Sequence, residues 1–367
     1  MENQKFSLEI AGKKIEIENK NLAEQSNGNI LLRCGDTLVL TTSVMGEERA
    51  DMGFFPLMVD YEEKYYAAGK IKGARYIRRE GRPSDEAVCN ARLIDRTIRP
   101  LFPKGLSREI QVVTTVFSWD SENDPDVLGL ISSSVALSIS DIPWNGPIGA
   151  VRVARVEENF ILNPSYEERE KSDFDVIFAG VKEGSDLLIN MIEGGFDEAD
   201  EETIISALDF AKKYLEEIIG FQEKVIKEIG KEKKDVLKED DKSLREEIRE
   251  FLSGKLEKAL FQKDKAQRSK ELRELKESLD SHLKEKDDFK ETGKFFDEEV
   301  DKSIHENAIK NKKRTDGRAL DEVREINCEV GILPRTPASI KASEELETEA
   351  IEVEPFEESI SETILIV

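Results

Sequence analysis

The sequence predicts an α/β protein of the α+β kind, in which a core of mostly antiparallel strands is followed by an all-helical region. Three observations point that way. Residues 5–45 alternate apolar and polar positions in short runs, FSLEIAG, KKIEIEN and NILLRCGDTLVLTTSVMG, punctuated by Gly12, Asn27-Gly28 and Gly35. This is the pattern of strands joined by tight turns. A second set of strand-like runs, IGAVRVARV, FILN, DFDVIFAG and DLLINMIEGG, follows the turn DIPWNGP. Near Asp197 the composition changes, and from Glu201 to about Asn311 the chain is rich in Lys, Glu and Leu at helical spacing.

Between the two strand sets the sequence predicts two helices and a strand. Ser84 followed by Asp85-Glu86 reads as a helix N-cap with an acidic first turn. The helix after it carries Arg92, Arg96 and Arg99 at i, i+4 and i+7, along one face. IQVVTTVFSW reads as a strand. Asn123-Asp124-Pro125-Asp126 then opens the helix VLGLISSSVALSIS, with Pro125 in its first turn and acids at its positive end. In the helical region, ISALDFAKKYLEEIIGFQEKVIKEIG and LREEIREFLSGKLEKALFQ carry the clearest periodicity. A new segment starts at Lys312, with a turn at Asp316-Gly317 and then a strand. From Glu344 to Val367 there are nine glutamates and no basic residue. The expected organisation is a core over 1–200, whose closing helix extends to about 230, and a helical domain over 201–311. The opening of a further domain follows at 312–336, then an acidic tail at 337–367.

Charge singles out one region. The chain has 55 Lys and Arg against 79 Asp and Glu, a formal net charge of −24. From Lys64 to Arg108, twelve basic residues, eight of them arginine, face only Glu80, Asp85, Glu86 and Asp95, a local net charge of +8. An acidic protein that gathers cations in one place has built an anion site against its own field. Guanidinium grips phosphate through paired N–H donors, so a polyanion is the expected partner.

Several function classes are disfavoured. There is no run of eighteen apolar residues, so no membrane span is expected, and MENQKFSLEIAGKKIEIENK lacks the apolar stretch of a signal peptide. Cys34, Cys89 and Cys328 have neither metal-type nor disulfide-type spacing, which fits a reducing cytoplasm. The only histidines, His282 and His305, fall in the polar helical region, so a histidine base is not expected. Asp173 and Asp175 share a strand face but lack a third ligand nearby in sequence, and Asp36 reads as a turn residue. Lys312, Lys313, Arg314 and Arg318 form a second, smaller basic cluster suited to an interface or RNA.

The longest motif is GKIKGARYIRREGRPSDEAVCNARLIDRTIRPLFPKG, preceded by DMGFFPLMVDYEEKYYAAGK and followed later by WNGPIGAVRV and RTDGRALDEVREINCEVGILPRT. In this order these segments resemble bacterial polyribonucleotide nucleotidyltransferase (polynucleotide phosphorylase), to about Arg335. The resemblance implies a ribonuclease PH-type first core, an all-helical domain and the opening of a second core. It further implies a cytoplasmic, ring-shaped trimer, with degradosome components as possible partners in mRNA degradation and RNA processing. Single-stranded RNA would be degraded from its 3′ end by inorganic phosphate, releasing nucleoside diphosphates with Mg²⁺ in support. By resemblance the RNA-gripping loop falls on Tyr76, Ile77, Arg78 and Arg79, with Arg82 beside it. Arg92, Arg96, Arg99, Arg314 and Arg318 are further candidates for RNA or an interface. One aromatic, Tyr76, stands where the family has a pair.

The catalytic residues are expected elsewhere. In catalytic cores of this type phosphate sits where small hydroxyl residues precede a helix, against its N-terminal amides. Here that start carries Asp124, Pro125 and Asp126: two carboxylates repel a phosphate, and Pro125 has no amide to donate. Ser132, Ser133 and Ser134 lie too deep in the helix to substitute and read as buried small residues. Catalysis and the ligands of Mg²⁺ are expected in the second core. The resemblance stops after Thr336, where PASIKASEELETEAIEVEP replaces the family pattern, so residues 337–367 are expected to be non-homologous and the second core truncated. Two functions follow: an exoribonuclease chain whose second core is supplied separately, or a catalytically inactive RNA-binding scaffold.

Overall fold

Alternating burial builds the first sheet. In the computed structural model, which describes residues 4–20, 22–48, 54–71, 81–236, 242–283 and 289–328, the early runs form β1 (Gln4–Ile10), β2 (Lys13–Asn19), β3 (Gly28–Cys34) and β4 (Thr37–Glu48). They make an antiparallel meander. Next come β5 (Leu57–Glu63), a 3-10 turn at Tyr65–Ala68, α1 (Asp85–Ile98) and β6 (Arg108–Ser118). The sheet order is β1-β2-β3-β4-β6-β5, and β5 runs parallel to β6 along the edge. Strand β5 was not expected: LMVDYEE ends in polar residues and lacks a sustained two-residue alternation.

The next element, α2 (Pro125–Ile139), is the centre of the fold. Every one of its residues is buried, as an all-round apolar helix must be. It packs on β3, β4 and β6 and, on its other side, on the second sheet. That sheet comprises β7 (Ile148–Val156), β8 (Asn159–Leu162), β9 (Phe174–Glu183) and β10 (Asp186–Phe196), in the order β10-β9-β7-β8, all antiparallel, with α3 (Tyr166–Glu170) between β8 and β9. The approach is close: a Cβ on Gly28 would lie 2.2 Å from the Ala136 carbonyl oxygen of α2, so only glycine fits on β3 there. Ser132, Ser133 and Ser134 are fully buried. Their hydroxyls bridge Thr41 (2.6 Å from Ser132), Thr114 (3.2 Å from Ser133) and Gln222 (2.7 Å from Ser134).

Helix α4 (Glu201–Ile229) starts where the composition changes, yet it belongs to the first unit. Its apolar stripe, Ala207, Ala211, Leu215, Ile218 and Val225, lies against the second sheet. Gly149 on β7 allows this packing, since a Cβ there would meet the Leu215 carbonyl oxygen at 2.6 Å. The segment after α4 returns to α2. The Lys233 ammonium donates to the carbonyls of Leu137, Ser138 and Ser140 at 2.8–2.9 Å, a cation on the negative end of the helix. Desolvation of the ammonium lowers its pKa to about 8, against a raising effect from Asp141.

The chain divides at Lys238 into two units. The second holds α5 (Lys242–Leu252), α6 (Leu256–Leu260), α7 (Lys265–Leu283) and α8 (Phe289–Asn311), around Leu244, Ile248, Leu252, Leu279, Leu283, Phe295 and Phe296. The run LREEIREFLSGKLEKALFQ breaks into two helices at Ser253-Gly254, where Gly254 takes the left-handed conformation, φ 67°. The turn at Asp316-Gly317 forms, closed by a single bridge between Lys313 and Ala319. No strand forms after it among the described residues. Through Cys328 no described residue pairs with this stretch, and Val323 and Ile326 are exposed; a strand needs a neighbour for its backbone donors. The stretch from residue 329 onward lies outside the described residues.

Candidate nucleic-acid interface

The basic island is built on one closed base. Strand β5 ends at Glu63, and the hydroxyl of Ser84, just before α1, donates to the Glu63 carboxylate at 3.3 Å. The same hydroxyl caps α1 by accepting from Ala87 N at 3.0 Å. Burial pushes the Glu63 pKa up, opposed by the Ser84 hydrogen bond. Residues 64–83 thus leave and return at one point. Lys70 and Arg82 on this excursion are exposed. Tyr76, Ile77, Arg78 and Arg79 lie outside the described residues.

The three arginines of the α1 stripe separate by what faces them. Arg92 is exposed and has no partner among the described residues. Arg96 meets Glu193 of β10 at 3.1 Å, with both side chains largely in solvent, a pairing worth little. Arg99 is used internally. It grips both Asp95 oxygens at 2.6 and 3.1 Å and donates to the carbonyls of Leu57 at 3.2 Å and Phe55 at 3.3 Å. It therefore staples the end of α1 to β5.

The start of α2 is the converse. Asp124 caps it, accepting from Asp126 N at 3.3 Å. Both carboxylates are enclosed by arginines from the second sheet and α3. Arg152 on β7 bonds Asp126, lies 3.4 Å from Asp124 and reaches Asp175 of β9 at 2.7 Å. Arg169 of α3 bonds Asp124 at 2.5 Å and Asp175 at 2.6 Å. Three carboxylates thus share two guanidiniums. Burial and the neighbouring Asp124 push the Asp126 carboxyl upward, while Arg152 pulls it back. Burial disfavours the Arg152 charge, but Asp126, Asp124 and Asp175 outweigh it and raise its pKa. The position where a helix N-terminus would hold an anion is filled by the protein's own carboxylates.

The remaining candidates are also tied internally. Asp173 pairs with Arg155, as Asp175 does with Arg152 and Arg169. No cluster of three or more His, Cys, Asp or Glu suited to a metal ion occurs among the described residues. In the second unit Arg314 donates to the Leu320 carbonyl at 2.6 Å, while Arg318 pairs with Asp316 at 2.9 Å and donates to the Glu322 carbonyl at 2.7 Å. Both arginines hold the turn together. Two features escaped the sequence. The Arg152–Arg169–Asp175 cage was signalled only by an arginine inside the apolar run IGAVRVARV. The exposed Tyr65-Tyr66 turn at the foot of the basic loop was masked by its lack of periodicity.

Family profiles agree with this layout. The 3′ exoribonuclease family, domain 1, matches residues 11–143, and domain 2 of the same family matches 146–214. The RNA binding domain of polyribonucleotide nucleotidyltransferase matches 243–319. The polyribonucleotide nucleotidyltransferase of Heliobacterium modesticaldum is 43% identical over 342 residues, 92% of this chain and 47% of that protein. The chain belongs to the polyribonucleotide nucleotidyltransferase family. The enzymes of Syntrophomonas wolfei and Bacillus cytotoxicus, each 42% identical, cover 92% of this chain and 48% of their own length. The chain spans about half the length of the curated relatives it matches, and corresponds to their N-terminal half. The fold is the mixed, mostly antiparallel core of the ribonuclease PH type with a helical region after it. No helix among the described residues is long and apolar enough to cross a membrane.

Proposed function

We propose that this chain is the RNA-gripping part of a phosphorolytic 3′-to-5′ exoribonuclease, and that its first core holds RNA without cutting it. The observation that carries this is the start of α2. Asp124 and Asp126 occupy the helix N-terminus and are caged by Arg152 and Arg169, so an incoming phosphate would meet carboxylates instead of free amides. The exposed cations Lys70, Arg82 and Arg92 remain for the RNA backbone, with Arg78 and Arg79 as the loop's principal grip. Such binding is electrostatic and largely independent of sequence.

Inorganic phosphate and Mg²⁺ belong to this reading as the chemistry of the intact enzyme. The described residues do not fit the cation: Asp124, Asp126, Asp173 and Asp175 are all engaged by arginine. No step is therefore assigned to a metal on these residues. A ring of three copies, association with degradosome components and a cytoplasmic site of action are part of the same proposal. The test is phosphate-dependent release of nucleoside diphosphate from poly(A) by the purified 367-residue chain, with RNA binding measured in parallel. Binding without release is expected. Release above a phosphate-free control would overturn the non-catalytic reading.

A further inference from the structure

The Tyr65–Ala68 turn lies at the foot of the basic loop, and its side chains are oddly placed for a folded core. Tyr66 is 57% exposed and Tyr65 43%, and Ile71, just beyond, is 93% exposed. Among the described residues Tyr66 has no side-chain hydrogen bond, ring contact or cation partner. Isolated surface apolar residues are ordinary, but here an aromatic pair sits beside the densest positive charge of a chain with net charge −24.

The turn is held firmly from behind. Its backbone is closed by Ala67 N to the Lys64 carbonyl at 2.8 Å, Gly69 N to Tyr66 at 3.0 Å and Lys70 N to Tyr65 at 3.0 Å. Trp119 N, just past the end of β6, donates to the Ala67 carbonyl at 3.0 Å. The Trp119 ring packs edge-on against Tyr166, with centroids 5.6 Å apart. The Arg169 guanidinium lies 5.3 Å from the centroid of the Tyr166 ring and bonds Asp124 and Asp175. The cage at the start of α2 therefore braces the turn through a chain of neighbouring groups. A rigid aromatic surface loses little conformational freedom when a ligand settles on it.

Exposed cations flank it on the same excursion, Lys70 on the outgoing limb and Arg82 on the returning one. The Glu63–Ser84 bond fixes both ends of the excursion. At a maximum of about 3.6 Å per residue, Tyr66 lies within about 11 Å of Glu63, and Arg82 within about 7 Å of Ser84. Tyr66, Lys70 and Arg82 thus share the mouth of one loop. We propose that the Tyr65–Ala68 turn is a stacking shoulder for single-stranded RNA, with the ring of Tyr66 taking a base while Lys70 and Arg82 take the flanking phosphates. The proposal rests on the RNA-binding reading of the loop and adds to it an aromatic platform outside the Tyr76–Arg79 segment. Stacking of this kind tolerates any base, since each presents a π-face.

The test uses the intact chain and two labelled ligands, oligo(A) and a ribose-phosphate oligomer of equal length lacking bases. Tyr66→Ala is expected to weaken oligo(A) binding by about 5- to 150-fold, the range set by one base–aromatic stack. It should leave the abasic oligomer unaffected, and Tyr66→Phe should bind both like the parent. If Tyr66→Ala binds oligo(A) like the parent, or loses both ligands equally, the stacking role is overturned. If the parent binds neither oligomer, the RNA reading of the loop falls first and takes the shoulder with it.

Discussion

Helices α1 and α2 both begin with a capping side chain and an acidic first turn, yet their arginines serve opposite ends. At α1, Ser84 is the cap, Asp85 and Glu86 are exposed, and Arg82 and Arg92 project into solvent without partners among the described residues. At α2, Asp124 is the cap, Asp126 is buried, and Arg152 and Arg169 are turned inward onto three carboxylates. The difference lies in what the fold brings opposite each guanidinium. A second sheet closes over α2 and carries its own counter-charges, whereas no described acid answers Arg92. Arginine content alone does not separate the two helix starts; what each guanidinium faces does.

The largest expected effect breaks the comparison at its buried end. Arg152→Ala leaves Asp126 and Asp175 enclosed with less counter-charge, and removing one partner of a buried ion pair costs about 3–5 kcal/mol. Arg82→Ala, at an exposed site, should change stability by no more than about 0.5 kcal/mol. Urea unfolding of the intact variants checks both, and equal losses would mean that the two helix starts are not different environments.

A smaller effect sharpens the same contrast within one helix. Arg99→Ala removes the hydrogen bonds to Asp95, Phe55 and Leu57 and should lower stability by about 1–2 kcal/mol, with a secondary effect on RNA. Arg92→Ala, seven residues away on the same face, should leave the unfolding midpoint unchanged and weaken RNA binding modestly. The reverse assignment, with Arg99 dispensable for folding and Arg92 needed for it, would show that facing carboxylates do not decide the role.

Much of the fold was legible in the sequence because the signals were local. Asp124-Pro125 marked the start of α2, Ser84 marked that of α1, and two-residue alternation marked most strands. What was not legible depended on partners distant in the chain. Arg152 looks like any strand arginine until β9 and α3 bring Asp175 and Arg169 beside it. Strand β5 forms because β6, some fifty residues later, offers a parallel edge. The described residues after Gly317, through Cys328, illustrate the same dependence from the other side: no described strand lies beside them, and Val323 and Ile326 stay exposed. At Asp197 the composition reported helix content, while the packing of α4 on β7 and β9 depends on strands far away in the chain.

On the proposed reading, the cations of the loop, and not the start of α2, hold RNA in this core. The most direct measurement is the salt dependence of single-stranded oligo(A) binding by the intact chain and by a variant carrying Arg78→Ala, Arg79→Ala and Arg82→Ala. Removing one arginine–phosphate pairing should flatten the slope of log affinity against log salt by about 0.7. The account predicts weaker binding and a slope shallower by about 2 in the triple variant. Unchanged affinity and slope would contradict it.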